Sequence, residues 1–485
     1  MKLSDLAGPG YAIPAGAGNI DISGLTADSR EVRPGYLFAA LPGTKLDGAA
    51  FARGAAAAGA AVILAPTGRA GDLPEGVPVV EADDPRRALA LMAARYYAPQ
   101  PGTAIAVTGT NGKTSVASFV RQIWSGLGLA AASLGTTGLW SPKGEHPLRH
   151  TTPDPVTLHS ELRTLAREGV THFAMEASSH GLQQRRLDGI ALTAAGFTNI
   201  SRDHLDYHPT FEDYLAQKLR LFRELLPEGG AAVVDPDAPG GRDVAAVARE
   251  RKLKLLTVGP KGEALTLDKV ARDGFAQRLA VSWSGGRESL LLPLVGGFQA
   301  SNALLAAGLA MASGCDTAAV LAQLPGLKGA TGRLEMVGDR SGAPVFVDYA
   351  HTPDALDNAL GALRPYAGGR LVVVFGCGGD RDRGKRPQMG KVARDKADAV
   401  YVTDDNPRGE DPATIRSEIL AACPEATEIG DRREAIAHAV KGLKSGDVLL
   451  VAGKGHETGQ TIGGRTIPFS DHEAVREALG KGRAA

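Results

Sequence analysis

The run Val107-Thr108-Gly109-Thr110-Asn111-Gly112-Lys113-Thr114-Ser115 carries the residue types that hold a polyphosphate. Gly109 and Gly112 let successive backbone N–H groups converge on an anion, Lys113 adds a mobile positive charge, and the Thr114 hydroxyl is a candidate ligand for Mg²⁺. The apolar residues Thr103 to Val107 predict a strand before this turn and the residues after it predict a helix, so the anion would lie at a helix N-terminus. A nucleoside triphosphate is the expected ligand. The usual phosphate loop has its first glycine five residues before Gly112. Val107 stands there instead and the glycine is Gly109, which makes this a variant loop.

Further chemistry-bearing residues follow strands downstream. His172 to Met175 reads as a strand running into Glu176-Ala177-Ser178-Ser179-His180-Gly181-Leu182, which puts a carboxylate at the strand end that faces the ligand crevice of an open α/β sheet. Glu176 is therefore a candidate Mg²⁺ ligand, and Gln184 and Arg186 are candidates for an anionic substrate. Gly196 to Asn199 predicts another strand, ended by Ser201 to His208, where His204 sits among aspartates and an arginine, a position suited to metal or phosphate work. On the helix predicted over Thr210 to Leu225, Lys218 lies between Leu215, Leu219 and Phe222. Burial disfavours a lysine's charged form, but the residues alone describe a snorkelling surface lysine with a half-buried stem. Thr151-Thr152-Pro153-Asp154, after Leu134 to Gly138, supplies hydroxyls for a polar substrate.

Three loops near the C-terminus each follow an apolar strand: Gly376 to Pro387, Thr403 to Arg408, and Ala452 to Glu457. Loops from the same end of a parallel sheet share one crevice. Arg381 and Arg408 can pair with carboxylates, and Asp405 and Glu457 with ammonium groups, a combination that suits an amino acid.

These loops need a scaffold larger than one core, and 485 residues predict about three domains. The 54 basic and 54 acidic side chains cancel, which argues against nucleic acid or an anionic membrane as partner. Cys315, Cys377 and Cys423 lack metal or disulfide spacing, and the N-terminus lacks a secretory apolar run, so a cytoplasmic protein is expected. Ser289 to Cys315 is long and uncharged but interrupted by Pro293, Gly296, Gly297 and Asn302, and reads as a buried strand, turn and helix rather than a membrane span. Residues 1–98 form a small α/β domain, closed by Pro99-Gln100-Pro101-Gly102. Residues 99–330 alternate strands and helices as in a doubly wound sheet. After the glycine-rich passage Gly326 to Gly332, residues 331–485 form a second, Rossmann-like unit.

Taken together the chain resembles the Mur ligase family. The carrying segments are Thr108 to Thr114, Met175 to Leu182, Asn199 to His208, Gly332-Arg333-Leu334-Glu335, Asp348-Tyr349-Ala350-His351-Thr352-Pro353, Asp405-Asn406-Pro407-Arg408 and Gly453-Lys454-Gly455-His456-Glu457, in family order across nearly the whole chain. The resemblance implies a UDP-sugar domain, a central ATPase and a C-terminal domain that brings the amino acid, with closure assembling the active site. In that family the Asp-Asn-Pro-Arg tetrad marks the diaminopimelate-adding enzymes. The implied activity is ATP-dependent addition of meso-diaminopimelate to the D-glutamate γ-carboxylate of UDP-N-acetylmuramoyl-L-alanyl-D-glutamate, through an acyl phosphate, in peptidoglycan precursor synthesis.

By the same resemblance Gly109, Thr110, Asn111, Gly112, Lys113, Thr114, Ser115, Asn302, Arg333 and Asp348 bind ATP. Thr114, Glu176, His204 and a carbamylated Lys218 hold Mg²⁺. Ser29, Thr44, Lys45, Thr151, Thr152, Ser178, Gln184 and Arg186 hold the UDP-muramoyl dipeptide, while Arg381, Asp405, Asn406, Pro407, Arg408, Gly453 and Glu457 read the amino acid. One departure stands out: the family's adenine-side Phe-Asn-x-x-Asn is here Phe298-Gln299-Ala300-Ser301-Asn302, leaving Asn302 as the match. A monomer is expected, with neither nucleic acid nor membrane insertion. The competing readings are a lysine-adding Mur ligase, a folylpolyglutamate synthetase-like ligase, and a nucleotide-driven P-loop switch.

Overall fold

The computed structural model describes residues 1–43, 47–148, 150–201 and 207–480. Thr44, Lys45 and His204 lie outside the described residues. The chain forms two compact units, Met1–Thr266 with Leu304–Leu321, and Leu267–Ala303 with Ala322–Ala485.

The first unit contains two sheets, one parallel throughout and a larger one that is parallel except for antiparallel pairing at one edge. Strands β1 (Gly24–Thr26), β2 (Tyr36–Ala39), β3 (Val62–Pro66) and β4 (Val79–Ala82) pair in chain order. Runs such as Val62-Ile63-Leu64, buried on both faces, show why: a parallel sheet covered on two sides needs continuous apolar strands. The larger sheet is built from β5 (Thr103–Thr108), β6 (Ala131–Gly135), the β7–β8 hairpin (Gly138–Ser141, Gly144–His146), β9 (His172–Glu176), β10 (Leu192–Phe197), β11 (Ala231–Val234) and β12 (Lys254–Gly259). Its order is β12-β11-β10-β5-β9-β6-β7-β8, so β5 is flanked by β10 and β9. Val107 pairs with Glu176 and Thr108 with Phe197, which brings three strand ends side by side. The strand expected over Gly196 to Asn199 instead covers Leu192–Phe197; Thr198 N still donates to Thr108 O (3.0 Å), and beyond that point the Thr198 and Asn199 side chains bond the phosphate loop.

The second unit opens inside β13 (Leu265–Asp273), followed by strand β14 (Ala276–Trp283) antiparallel to β15 (Gly286–Leu292), where the sequence predicted continued winding. The turn residues Ser284-Gly285-Gly286 are the local signal for that ribbon. Its main sheet runs β16 (Glu335–Asp339), β17 (Pro344–Asp348), β21 (Val448–Ala452), β18 (Leu371–Phe375), β19 (Ala399–Val402), β20 (Thr427–Glu428), parallel except for the β16 edge. The α/β class expected from the sequence holds, with a doubly wound central sheet, a Rossmann-like C-terminal sheet and a smaller N-terminal one. Among the described residues no helix is long and apolar enough to cross a membrane.

Candidate functional site

The phosphate loop leaves β5 and enters the helix Lys113–Gly126. Gly109 has φ +142° and Gly112 +88°, and a Cβ on Gly109 would fall on the Thr198 hydroxyl and within 2.9 Å of Asn199 O. Neighbouring strand ends pin the loop. Thr110 N donates to Asn199 O (2.8 Å), Asn111 N donates to Asn199 Oδ1 (3.1 Å), and the Thr198 hydroxyl donates to Asn111 O (2.6 Å). Thr114 and Ser115 are buried in the first helical turn while Asn111 is exposed.

Lys218 corrects the sequence reading. It is 1 % exposed, not a snorkelling surface lysine. Thr210 caps the helix Phe211–Arg220 by accepting from Asp213 N, and that helix turns Lys218 inward, where its Nζ donates to Gly109 O (2.7 Å) and lies 4.3 Å from the Tyr214 ring centre. Lys113 Nζ donates to the same carbonyl (2.9 Å) and to Thr110 O (2.8 Å). Two ammonium groups on one acceptor repel each other.

Glu176 ends β9 and is 1 % exposed. Its carboxylate accepts from Thr136 N (2.7 Å) and the Thr136 hydroxyl (3.2 Å), and a Cβ on Gly135 would collide with it. The Thr136 and Thr151 hydroxyls are 3.1 Å apart. Thr152 donates its hydroxyl to Glu176 O (2.9 Å), and Arg186 donates to Thr152 O (2.6 Å) and Gln184 Oε1 (2.8 Å). Ser178 caps the next helix by accepting from Gly181 N (3.0 Å). The structure thus gathers Glu176, Thr151, Thr152, Ser178, Gln184 and Arg186 into one network beside the phosphate loop. Ser29 lines a separate cleft of about 790 Å³ with Thr26, Asp28, Arg30, His150 and Asp154.

In the second unit, Asn302 Nδ2 donates to Gln299 Oε1 (3.1 Å), both side chains being buried. The departure at Gln299 therefore orients Asn302. Asp348, at the end of β17, accepts from Leu334 N (2.6 Å) and Ala350 N (2.7 Å). Burial pushes its carboxyl above the usual carboxylate range despite the nearby Arg333 and these amides. Arg333 lies over the Tyr349 ring, 4.8 Å from its centre.

The ends of β18, β19 and β21 interlock at one sheet edge. A Cβ on Gly376 would strike Thr403 O, and one on Gly379 would strike Pro407 O. Gly379 N donates to Asn406 O (2.9 Å), while Arg408 Nη1 donates to Gly379 O (2.8 Å). Asn406 Oδ1 accepts from the buried Lys454 Nζ (3.1 Å), and its Nδ2 donates to Glu457 Oε2 (2.8 Å). Burial alone would raise the Glu457 carboxyl, but Lys454 and Asn406 outweigh it and hold it below the usual range. Asp405 is 7 % exposed, its Oδ2 has no hydrogen-bond partner among the described residues, and a Cβ on Gly453 would stand 2.5 Å from that oxygen. Arg381 is exposed and donates to Asp380 O (2.9 Å). The sequence reading quoted Lys454 within its motif without giving it a role, and missed Gln460 and Thr461, although Gly463-Gly464 signals the hairpin that carries them.

A phosphate loop on one doubly wound sheet and an amino-acid-like crevice on another define an ATP-using α/β ligase. The chain belongs to the Mur ligase family: residues 21–97 match the Mur ligase family catalytic domain, 107–310 the Mur ligase middle domain, and 332–455 the Mur ligase glutamate ligase domain. It is 57 % identical over 486 residues to the UDP-N-acetylmuramoyl-L-alanyl-D-glutamate--2,6-diaminopimelate ligase of Bradyrhizobium diazoefficiens, covering 99 % of each chain. It is 53 % identical over 465 residues to the enzyme of the same name from Caulobacter vibrioides, covering 94 % of this chain and 95 % of that one. A solved structure of a ligase of that name aligns with TM-score 0.74 and 34 % identity over 99 % of both chains. The fold alone is shared with Mycobacterium tuberculosis folylpolyglutamate synthase complexed with ADP and AMPPCP, at TM-score 0.64 and 21 % identity over 81 % of this chain and 95 % of that one.

Proposed function

We propose that this chain is the cytoplasmic, monomeric ligase that adds meso-diaminopimelate to UDP-N-acetylmuramoyl-L-alanyl-D-glutamate, with three domains divided near residues 98/99 and 330/331. The observation that carries the reading is the Asp405–Arg408 tetrad, one loop at the sheet edge that holds the buried Asp405 carboxylate and, on the next strand's loop, bonds Gly379 O with the Arg408 guanidinium. Diaminopimelate differs from lysine chiefly by a second carboxylate, and a guanidinium is the side chain best suited to read it. Glu457 and Asp405 take its ammonium groups, and Arg381 adds a second cation.

A carboxylate and an amine do not condense in water, so the D-glutamate γ-carboxylate attacks the ATP γ-phosphorus, forming an acyl phosphate and releasing ADP. Lys113 and the amides of Gly109 to Ser115 stabilise the charge on the transferring group. The diaminopimelate amine then attacks the acyl carbon, loses a proton and expels phosphate. Asn302, Arg333 and Asp348 hold the rest of ATP; Ser29, Thr151, Thr152, Ser178, Gln184 and Arg186 hold the UDP-dipeptide, with Thr44 and Lys45 carried over by resemblance.

The buried hard-oxygen donors Glu176 and Thr114 fit Mg²⁺, which keeps water and phosphate oxygens among its ligands. Mg²⁺ held by Thr114 and Glu176, with His204 and Lys218 at a second position, would supply charge neutralisation at the phosphates. Carbamylation of Lys218 would replace its repulsion of Lys113 with attraction. Phosphate release measured with each substrate omitted in turn tests the function: it should require the UDP-dipeptide and diaminopimelate together. ATP turnover independent of both would instead support a nucleotide switch.

A further inference from the structure

The hairpin β22 (Gly459–Ile462) and β23 (Arg465–Pro468) takes no part in the reaction above, yet the tetrad hangs on it. Four hydrogen bonds join them. Gln460 Nε2 donates to Asp405 O (2.8 Å), Thr461 N to Asn406 Oδ1 (3.0 Å), Arg408 N to Thr461 O (2.9 Å), and Gly463 N to Arg408 O (2.7 Å). Ile462 and Ile467 are 41 % and 46 % exposed, so apolar packing of these side chains does not anchor the hairpin.

Arg408 has φ +53°, a conformation that a long L side chain adopts only where its surroundings impose it. The hairpin imposes it by bonding both the amide and the carbonyl of Arg408. The Asn406 side-chain amide is oriented the same way, because Thr461 N and Lys454 Nζ both donate to Oδ1 and leave Nδ2 for Glu457. Gln460 completes the frame from a buried position, 7 % exposed, by holding the carbonyl of Asp405.

We infer that Gln460 is a positioning residue for amino-acid selection: through the Asp405 peptide it sets the directions of the Asp405 carboxylate and the Arg408 guanidinium. The inference rests on the tetrad reading above. Gln460→Glu keeps the shape but turns the neutral donor into a charged acceptor facing a carbonyl, a change that costs at least the one buried hydrogen bond it breaks. Its KM for diaminopimelate should rise about tenfold and its preference for diaminopimelate over lysine fall about fivefold or more. KM for ATP and the UDP-dipeptide should stay within about twofold. Thr466→Ala, which removes only an exposed hydroxyl pair with Thr461, should match wild type.

A Gln460→Glu protein with lowered melting temperature but unchanged diaminopimelate KM and preference overturns the inference, while Arg408→Ala still raising that KM leaves the tetrad reading standing. Unchanged diaminopimelate KM in Arg408→Ala overturns both. Should Gln460→Glu fail to fold, hydrogen exchange on the wild type decides. With the UDP-dipeptide and a non-hydrolysable ATP analogue present, diaminopimelate should slow exchange at the Thr461 and Gly463 amides together with Arg408. Slowing confined to Arg408 overturns the inference.

Discussion

Lys218 and Lys113 donate to one carbonyl oxygen, Gly109 O, so their charges are coupled. Lys218→Ala removes the group that would become a carbamate. Turnover should fall by about a thousandfold or more, the scale of removing a group that stabilises transferring charge. Formate, a free carboxylate of similar reach, should restore part of it. Full activity without additive would show that the lysine only fills space. Lys113→Ala should lose more than about nine-tenths of phosphate release at saturating ATP while its melting temperature stays near wild type, since Lys113 is half exposed and its loss opens no core cavity.

At the scale of elements, the loops after β18, β19 and β21 interlock through glycines that admit no Cβ. Gly379→Ala should raise the diaminopimelate KM at least about tenfold, since it pushes on Pro407 inside the tetrad, and leave the ATP KM within about twofold. Steady-state kinetics with one substrate varied at a time checks this. Why these strands were legible in the sequence is physical: Leu371–Phe375 and Ala399–Val402, like Ala231–Val234 in the other sheet, are apolar runs between polar loops. The strand expected through Asn199 ran past its end at Thr198 and Asn199, whose side chains bond the phosphate loop. Lys218 was misread because three apolar neighbours fit either a surface stem or full burial, and the packing of Tyr214 and Gly109 around it comes from far along the chain. The β14–β15 ribbon and the β22–β23 hairpin escaped because alternating parallel topology was extrapolated past their glycine turns.

Across the whole molecule, each unit has its own buried core, and the first also buries a titratable group. In the first unit His159, on the helix Pro155–Arg167, is 2 % exposed, and burial lowers its pKa from 6.5 to about 4 against a weaker opposing bond to Asp188 O. The unfolded chain then binds the extra proton first, so stability is complete above pH 6.5 and is lost as pH falls toward 4. The full shift is worth about 3 kcal/mol. Urea unfolding between pH 7 and 5 should show this slope, and His159→Gln should flatten it; an unchanged slope would assign the effect to other groups. The tetrad lies in the second unit. The central claim, that Arg408 in the tetrad chooses diaminopimelate, is tested most directly by kcat/KM for diaminopimelate and for lysine in wild type and Arg408→Ala. Wild type should favour diaminopimelate by about a thousandfold or more, the scale on which a site built to bond a substrate group rejects the analogue that lacks it, and Arg408→Ala should lose most of that preference through the diaminopimelate KM. Equal use of lysine by wild type, or a preference that survives Arg408→Ala, would contradict the account.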